Sequence, residues 1–317
     1  MTSRYGITIP FDGVTLLEHR DWFHRLADLG YTDVWSAEVD GADGFTPLTV
    51  AALTETRLNL GVAVTPVFTR GAGLLAMSVA AMAEVAGGRF TMGLGASSEP
   101  VVERWNGIAY EHPFARTRDT LRFLKRALDG EKIDEVFETF EIHGFKLSRP
   151  VIERPPILLG ALRPGMLRLA GREADGAILN WLAATDVAQC RKEVGDDKMI
   201  AARLFVIPTE DVDAARFIAR RMISSYLTVH AYAEFHRWLG RGDALTPMWE
   251  AWAGGDRKLA NELIPDAVVD ELVIHGSYEA CREHVQRYID AGIQIPSIAI
   301  VPFGINLTEA VEGLAPR

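Results

Sequence analysis

Residues 155–181 read PPILLGALRPGMLRLAGREADGAILNW. Ile157–Gly160 is a short, continuously apolar run, and the double proline Pro155-Pro156 sets its start. Met166–Glu173 has helical spacing, and Gly176–Asn180 is a second apolar run. A run with no polar alternation is a strand buried on both faces, which is the habit of parallel sheets. The segment is therefore a strand, a small-residue loop, a helix and a second strand.

The same unit recurs in both directions. ITIP, DVWS, LNLGVAVTP and FTMGLG precede it, and MIAARLFVIP and SIAIVP follow. Together these make eight apolar runs, each with a loop and a helix-like stretch after it. Eight such units predict an α/β fold, a (β/α)8 TIM barrel, whose chemistry sits at the C-terminal ends of the strands. The spacing predicts strands at Tyr5–Pro10, Asp33–Ser36, Leu58–Thr65, Phe90–Gly95, Ile157–Gly160, Gly176–Asn180, Met199–Ile207 and Ser297–Val301. It predicts helices at Leu16–Leu29, Pro47–Thr54, Leu74–Val85, Arg116–Leu128, Met166–Glu173 and Tyr278–Ala291. Glu131–Pro150 interrupts the alternation and reads as a β-hairpin insertion. Asp211–Ile264 is too long for one connection and reads as a helical insertion carrying Trp238, Trp249 and Trp252. No boundary divides residues 1–317, so a single domain is expected.

The net charge of −10 and the lack of a basic stripe argue against nucleic acid as a partner. No apolar run is long enough for a membrane span, and MTSRYGITIP has no apolar signal region. Cys190 and Cys281 have no metal or redox spacing, so a cytoplasmic setting without disulfides is expected. The eight histidines show no ligand spacing, so no structural metal is expected.

Four constellations fall at strand ends. In LGVAVTPVFTR, small residues at Gly61 and Ala63 leave room for something flat against the backbone, or are ordinary packing before a proline stop. In GLGASS, Gly95, Ala96, Ser97 and Ser98 could offer N–H groups and hydroxyls to an anion or a polar ring edge, or form a tight turn. In GALRPG, Gly160, Ala161, Leu162, Arg163, Pro164 and Gly165 lead into a helix. A free helix start beside an arginine suits a phosphate or carboxylate, although proline at a helix start is also a routine capping device. Glu38, just past the second strand, is the candidate proton handler, while Asp40 and Asp43 read as solvated loop acids.

Taken together, GYTDVWSAE, RLNLGVAVTPVFTRG, GRFTMGLGASS, AGREADG and YIDAGIQIPSIAIVP resemble the luciferase-like monooxygenase superfamily, in its coenzyme F420-dependent oxidoreductase branch. The resemblance spans nearly the whole chain and implies a barrel binding F420 or FMN at its strand ends. By position it implies that Ala63, Val64 and Thr65 back the tricyclic ring, with a non-prolyl cis peptide at Ala63-Val64. It also implies that Ala96–Ser98 touch the ring edge or ribityl chain, that Gly160–Gly165 hold the phosphate, and that Asn180 and Trp181 line the pocket. In many relatives a histidine follows the acid after strand two, whereas here Val39 follows Glu38. Glu38 is then the remaining acid/base or cofactor-orienting candidate.

The leading expectation is an F420-dependent oxidoreductase that moves a hydride between the deazaflavin and an organic substrate. The alternatives are an FMNH2-dependent monooxygenase inserting one oxygen atom from O2, a non-catalytic flavin-binding barrel and, last, a phosphate-handling aldolase or isomerase barrel. Phe45, Tyr226, Tyr232, Phe235 and Trp238 suggest an apolar or aromatic small-molecule substrate. Relatives are often dimers, so a homodimer is expected.

Overall fold

The computed structural model describes residues 4–149 and 151–316. Pro150, the last residue of the expected hairpin insertion, lies outside the described residues. The eight barrel strands are β1 (Gly6–Thr8), β2 (Asp33–Ser36), β3 (Asn59–Val62), β4 (Phe90–Gly95), β5 (Ile157–Gly160), β6 (Gly176–Asn180), β7 (Met199–Ile207) and β8 (Ile295–Ile300). All pair in parallel in the order β1 through β8. Pairing of Gly6 with Ser297 closes the ring, so the sheet has no free barrel edge. A two-residue strand, Ile274–His275, adds to β7 outside the ring.

Period-two alternation divides the core. Trp35, Leu158, Ile178, Ala201 and Ile295 pack together as an apolar floor inside the barrel. Residues of the opposite parity on the same strands, including Val34, Leu159, Ala177, Ala202 and Ile298, join the larger core beneath the surrounding helices. Four helices start earlier than apolar spacing indicates, whereas the first starts at His19 and not at the expected Leu16. Those at Pro113–Leu128 and Pro164–Glu173 open on proline, whose fixed φ and missing N–H suit the first turn. Helix Ala72–Ala86 stops at Gly87, which takes φ 57° as a left-handed cap.

Two local devices set the site's frame. The Asp175 carboxylate accepts the Ile157 backbone N–H at 2.8 Å and faces Arg154 at 3.2 Å, which ties the AGREADG stretch to the start of β5. The expected hairpin is present as Ile133–Val136 against Glu141–Phe145. The helical insertion comprises helices Val212–Leu227, His230–Trp238, Gly242–Ala253 and Arg257–Glu262, and a further helix, Asp266–Leu272, lies beyond its expected end. Its tryptophans pin these helices together. Trp249 donates to the Leu227 carbonyl at 2.8 Å, and Arg257 lies over Trp252 at 3.6 Å.

Both cysteines are free and buried, and burial pushes their thiols up to about 12. Among the described residues no helix is long and apolar enough to cross a membrane, and no group of three or more His, Cys, Asp or Glu is placed to hold a metal ion.

Candidate active site

Above the apolar floor the inward positions turn polar. Thr8, Trp35, Ser36, Ala37, Ala63, Arg203 and Ser297 line a cleft at the strand C-termini. The Thr8 and Ser297 hydroxyls lie 3.3 Å apart. The cleft is shallow and open, with room within it for about one water molecule. A planar ligand must therefore lie across the rim and not within the cleft.

That rim is built at β3. The Ala63 N–H donates to the Ser36 carbonyl at 2.7 Å. The chain then leaves the ladder through a cis Ala63-Val64 peptide and rejoins at Thr65–Pro66, paired with Leu94 and Gly95. Val64 folds down between β4 and β5. A Cβ on Gly95 would lie 2.6 Å from Val64 Cγ2, and one on Gly160 would lie 3.1 Å from Val64 Cγ1. The two glycines thus leave their side-chain space to Val64, and the bulge rests on bare main chain. Thr65 is fully buried with its Oγ1 unpartnered.

This geometry corrects two sequence readings. Gly61 does not admit an external flat group, because the Trp35 indole fills that space, 2.4 Å from where a Cβ would stand. Gly93 and Gly95 are packing glycines. A Cβ on Gly93 would meet the Val62 carbonyl oxygen at 1.9 Å, so Gly93 serves the packing of the barrel wall.

The loops after β4, β5 and β6 converge. Ala96, Ser97 and Ser98 are half-buried, and Ser97 takes φ 62°. The Ser97 carbonyl accepts from the Tyr110 hydroxyl at 3.1 Å. Burial raises that phenol, and the charge of Arg163 opposes the rise. Arg163 precedes helix Pro164–Glu173 in extended conformation and caps it with no side-chain bond. The Arg163 carbonyl is reached by Leu167 N–H, and Ala161 N–H joins the Ile178 carbonyl at 3.0 Å. The first-turn N–H groups of Gly165 and Met166 have no helical acceptor of their own and face outward beside an exposed arginine.

Asn180 ends β6. Its Nδ2 donates to the Tyr232 hydroxyl at 3.2 Å, and its Oδ1 is buried and unpartnered. Burial pushes Tyr232 up to about 12, against the Asn180 bond and the charge of Arg203. Trp181 takes φ 55°, stacks on Phe205 at 4.3 Å and meets Tyr226 at 5.1 Å. Three non-glycine residues among those described have positive φ, and Ser97 and Trp181 are two of them. Such conformations concentrate at functional sites.

Glu38 is engaged within its own loop region. Its carboxylate faces Arg70 at 3.2 Å and accepts the Gly44 N–H at 3.4 Å. Asp43 also faces Arg70, at 3.8 Å. Val39, at the position where many relatives carry histidine, is exposed. Among the described residues no histidine lines the cleft. The expected aromatic wall is only partly present. Tyr226 and Tyr232 stand beside Asn180, but Phe45 is buried under Arg70 and Phe235 stacks on Trp238 in the core. Arg203 and Phe205 escaped the sequence reading, although a lone arginine within MIAARLFVIP was the available signal.

Residues 4–294 match the luciferase-like monooxygenase family over most of the chain. The chain belongs to the luciferase-like monooxygenase family. Among curated members it is 27% identical to the 5,10-methylenetetrahydromethanopterin reductase of Methanolobus tindarius, over 97% of each chain. Among solved structures of the family's fold it is similar to the coenzyme F420-dependent tetrahydromethanopterin reductase of Methanopyrus kandleri. There the TM-score is 0.80 at 18% identity, covering 99% and 97% of the two chains. It is also similar to an F420-dependent secondary alcohol dehydrogenase in complex with an F420–acetone adduct. In that case the TM-score is 0.76 at 14% identity, covering 98% and 97%.

Proposed function

We propose that this family member is an F420-dependent oxidoreductase that transfers a hydride between the deazaflavin and an organic substrate. The observation that carries this reading is the bare shelf at Ala63-Val64, seated on Gly95 and Gly160 and opening onto the cleft. A planar ring needs a flat, side-chain-free face, and the shelf has that form. The relatives named for F420 add to it by their full-length match.

The residues present fit such a group. Thr65 Oγ1 and Asn180 Oδ1 are buried without partners and are suited to a ring edge or a ribityl-type chain. Ala96–Ser98 border the same face. The N–H groups of Gly165 and Met166, with Arg163, form an anion seat for a phosphate. When bound, the deazaflavin supplies a two-electron hydride carrier that activates O2 poorly. The chain's part is to hold that ring, present one face to the substrate and exclude water. Glu38, which faces Arg70 at 3.2 Å, is assigned the role of acid/base or cofactor-orienting group.

We also propose a homodimer through helices Thr46–Thr54 and Ala72–Ala86, which leave Leu53, Leu74 and Met77 exposed. The substrate reading stays with a small molecule having an apolar or aromatic part, next to Trp181, Phe205 and Tyr226.

Equilibrium titration with F420 and with FMN tests the cofactor. The expected result is binding of F420 at least about tenfold tighter than FMN, a difference of about 1.4 kcal/mol. Tight FMN binding with no measurable F420 binding, followed by O2 consumption with a flavin reductase, would instead favour the FMNH2-dependent monooxygenase.

A further inference from the structure

The polar layer of the cleft is one-sided in its chemistry. Arg203 projects into the barrel from β7, aligned with Asn180 on one side and Ser297 on the other. It is the one charged residue among those lining the cleft, and that lining includes no aspartate or glutamate. Its Nε is buried and unpartnered. The acids just beyond β2, Glu38 and Asp43, face Arg70 instead. Trp35, almost wholly buried and lining the same cleft, also has an unpartnered indole Nε1. Both orphaned cleft atoms are therefore N–H donors, and neither group can accept a hydrogen bond. The Thr8 and Ser297 hydroxyls can donate as well.

Arg203 is half-buried with its Nε shut off from any partner, and a planar anion satisfies such a guanidinium better than water does. The arginine is also held in place, with its guanidinium 4.9 Å above the Phe205 ring, which itself stacks on Trp181. A fixed cation at the edge of an aromatic wall matches a ligand with a carboxylate attached to a flat or apolar body.

We propose that Arg203 is the specificity-determining residue of the cleft and that the substrate is an organic carboxylate, its anionic end held by Arg203 and its apolar part directed over the rim past the half-buried Tyr226. The proposal rests on the hydride-transfer reading, because it assigns the Ala63-Val64 shelf to the cofactor and the β7 side of the cleft to the substrate. A positive charge here discriminates by charge state: a neutral amide of the same shape leaves Arg203 unpaired and forfeits most of the attraction.

The test uses the full chain, with and without F420, and two probes of matched shape, 2-naphthoate and 2-naphthamide. Binding is read by calorimetry, without turnover. The expected result is naphthoate binding about tenfold or more tighter than the amide, with a preference that weakens as salt rises. Arg203→Gln should abolish the preference, Arg203→Lys should keep part of it, and both variants should bind F420 within about threefold of the parent chain. Equal binding of the two probes, or of neither, overturns the proposal. So does loss of F420 affinity in Arg203→Gln with the naphthoate preference intact, since the cation would then serve the cofactor. If the parent chain fails to bind F420 but still selects naphthoate through Arg203, the carboxylate site stands and only the cofactor reading falls.

Discussion

Substituting Gly95 by alanine tests the shelf directly. The new Cβ would stand 2.6 Å from Val64 Cγ2, 3.3 Å from its Cβ and 3.5 Å from its Cγ1. An unstrained carbon–carbon contact is about 3.5–4.0 Å, so the shortfall at Cγ2 is roughly 1 Å. Rotating Val64 clears it only in part, because Val64 Cβ itself stays 3.3 Å from the new carbon. The main chain at Ala63-Val64 must lift instead. Overpacking of this kind costs about 1–3 kcal/mol in stability. A flat ring pressed on the lifted shelf should lose affinity on the same scale, between about fivefold and 150-fold. Urea denaturation reads the first effect, and F420 fluorescence titration reads the second. Gly41→Ala is the control: nothing lies within 4 Å of its added Cβ, so both quantities should hold. The double variant Gly95→Ala/Val64→Ala removes the clashing methyls and should recover most of both losses. If Gly95→Ala destabilises the protein by the expected amount yet binds F420 like the parent, the ring does not rest on this shelf and the reasoning fails.

Three further outcomes are expected. His236 is fully buried, and burial, followed by the charge of Arg241, lowers its pKa from 6.5 to about 3. Below pH 6.5 the unfolded chain takes up a proton that the folded chain refuses. Stability should therefore be whole above that pH and fall, by up to about 1.4 kcal/mol per unit, toward pH 3. His236→Leu should flatten that slope in urea titrations across pH, and an unchanged slope refutes the assignment. Tyr232→Phe removes the Asn180 bond at 3.2 Å and should cost about 1 kcal/mol while raising KM more than it lowers kcat. An unaltered KM would take helix His230–Trp238 out of the cleft wall. Leu53→Glu with Met77→Glu should turn a dimer into a monomer in sedimentation velocity, and a parent chain that is already monomeric at micromolar concentration would refute the interface.

The barrel was legible because burial on both faces forces β1 to β8 into short runs without polar alternation. The loops bearing Ala63-Val64, Ala96–Ser98, Gly160–Gly165 and Asn180 were legible as strand ends, and the structure brings them to one rim. What the sequence hid is what depends on partners distant in the chain. Gly61 reads as an opening until Trp35, from the neighbouring strand, is seen to occupy it. Gly93 and Gly95 read as a turn, because their neighbours Val62 and Val64 lie some thirty residues away. Arg203 vanished into an apolar run, since periodicity averages over a single charge. Helix Val187–Val194 carries too short and too polar a face to register, and the π-helical turn Pro100–Trp105 has no apolar period.

The central claim is that the deazaflavin ring lies face-on against the backbone at Ala63-Val64. A crystal structure of this chain saturated with F420 measures that directly. The account expects the tricyclic ring in van der Waals contact with Ala63 and Val64, with its phosphate at the N–H groups of Gly165 and Met166. A ring seated elsewhere, or a cleft in which F420 never appears at saturating concentration, would contradict it.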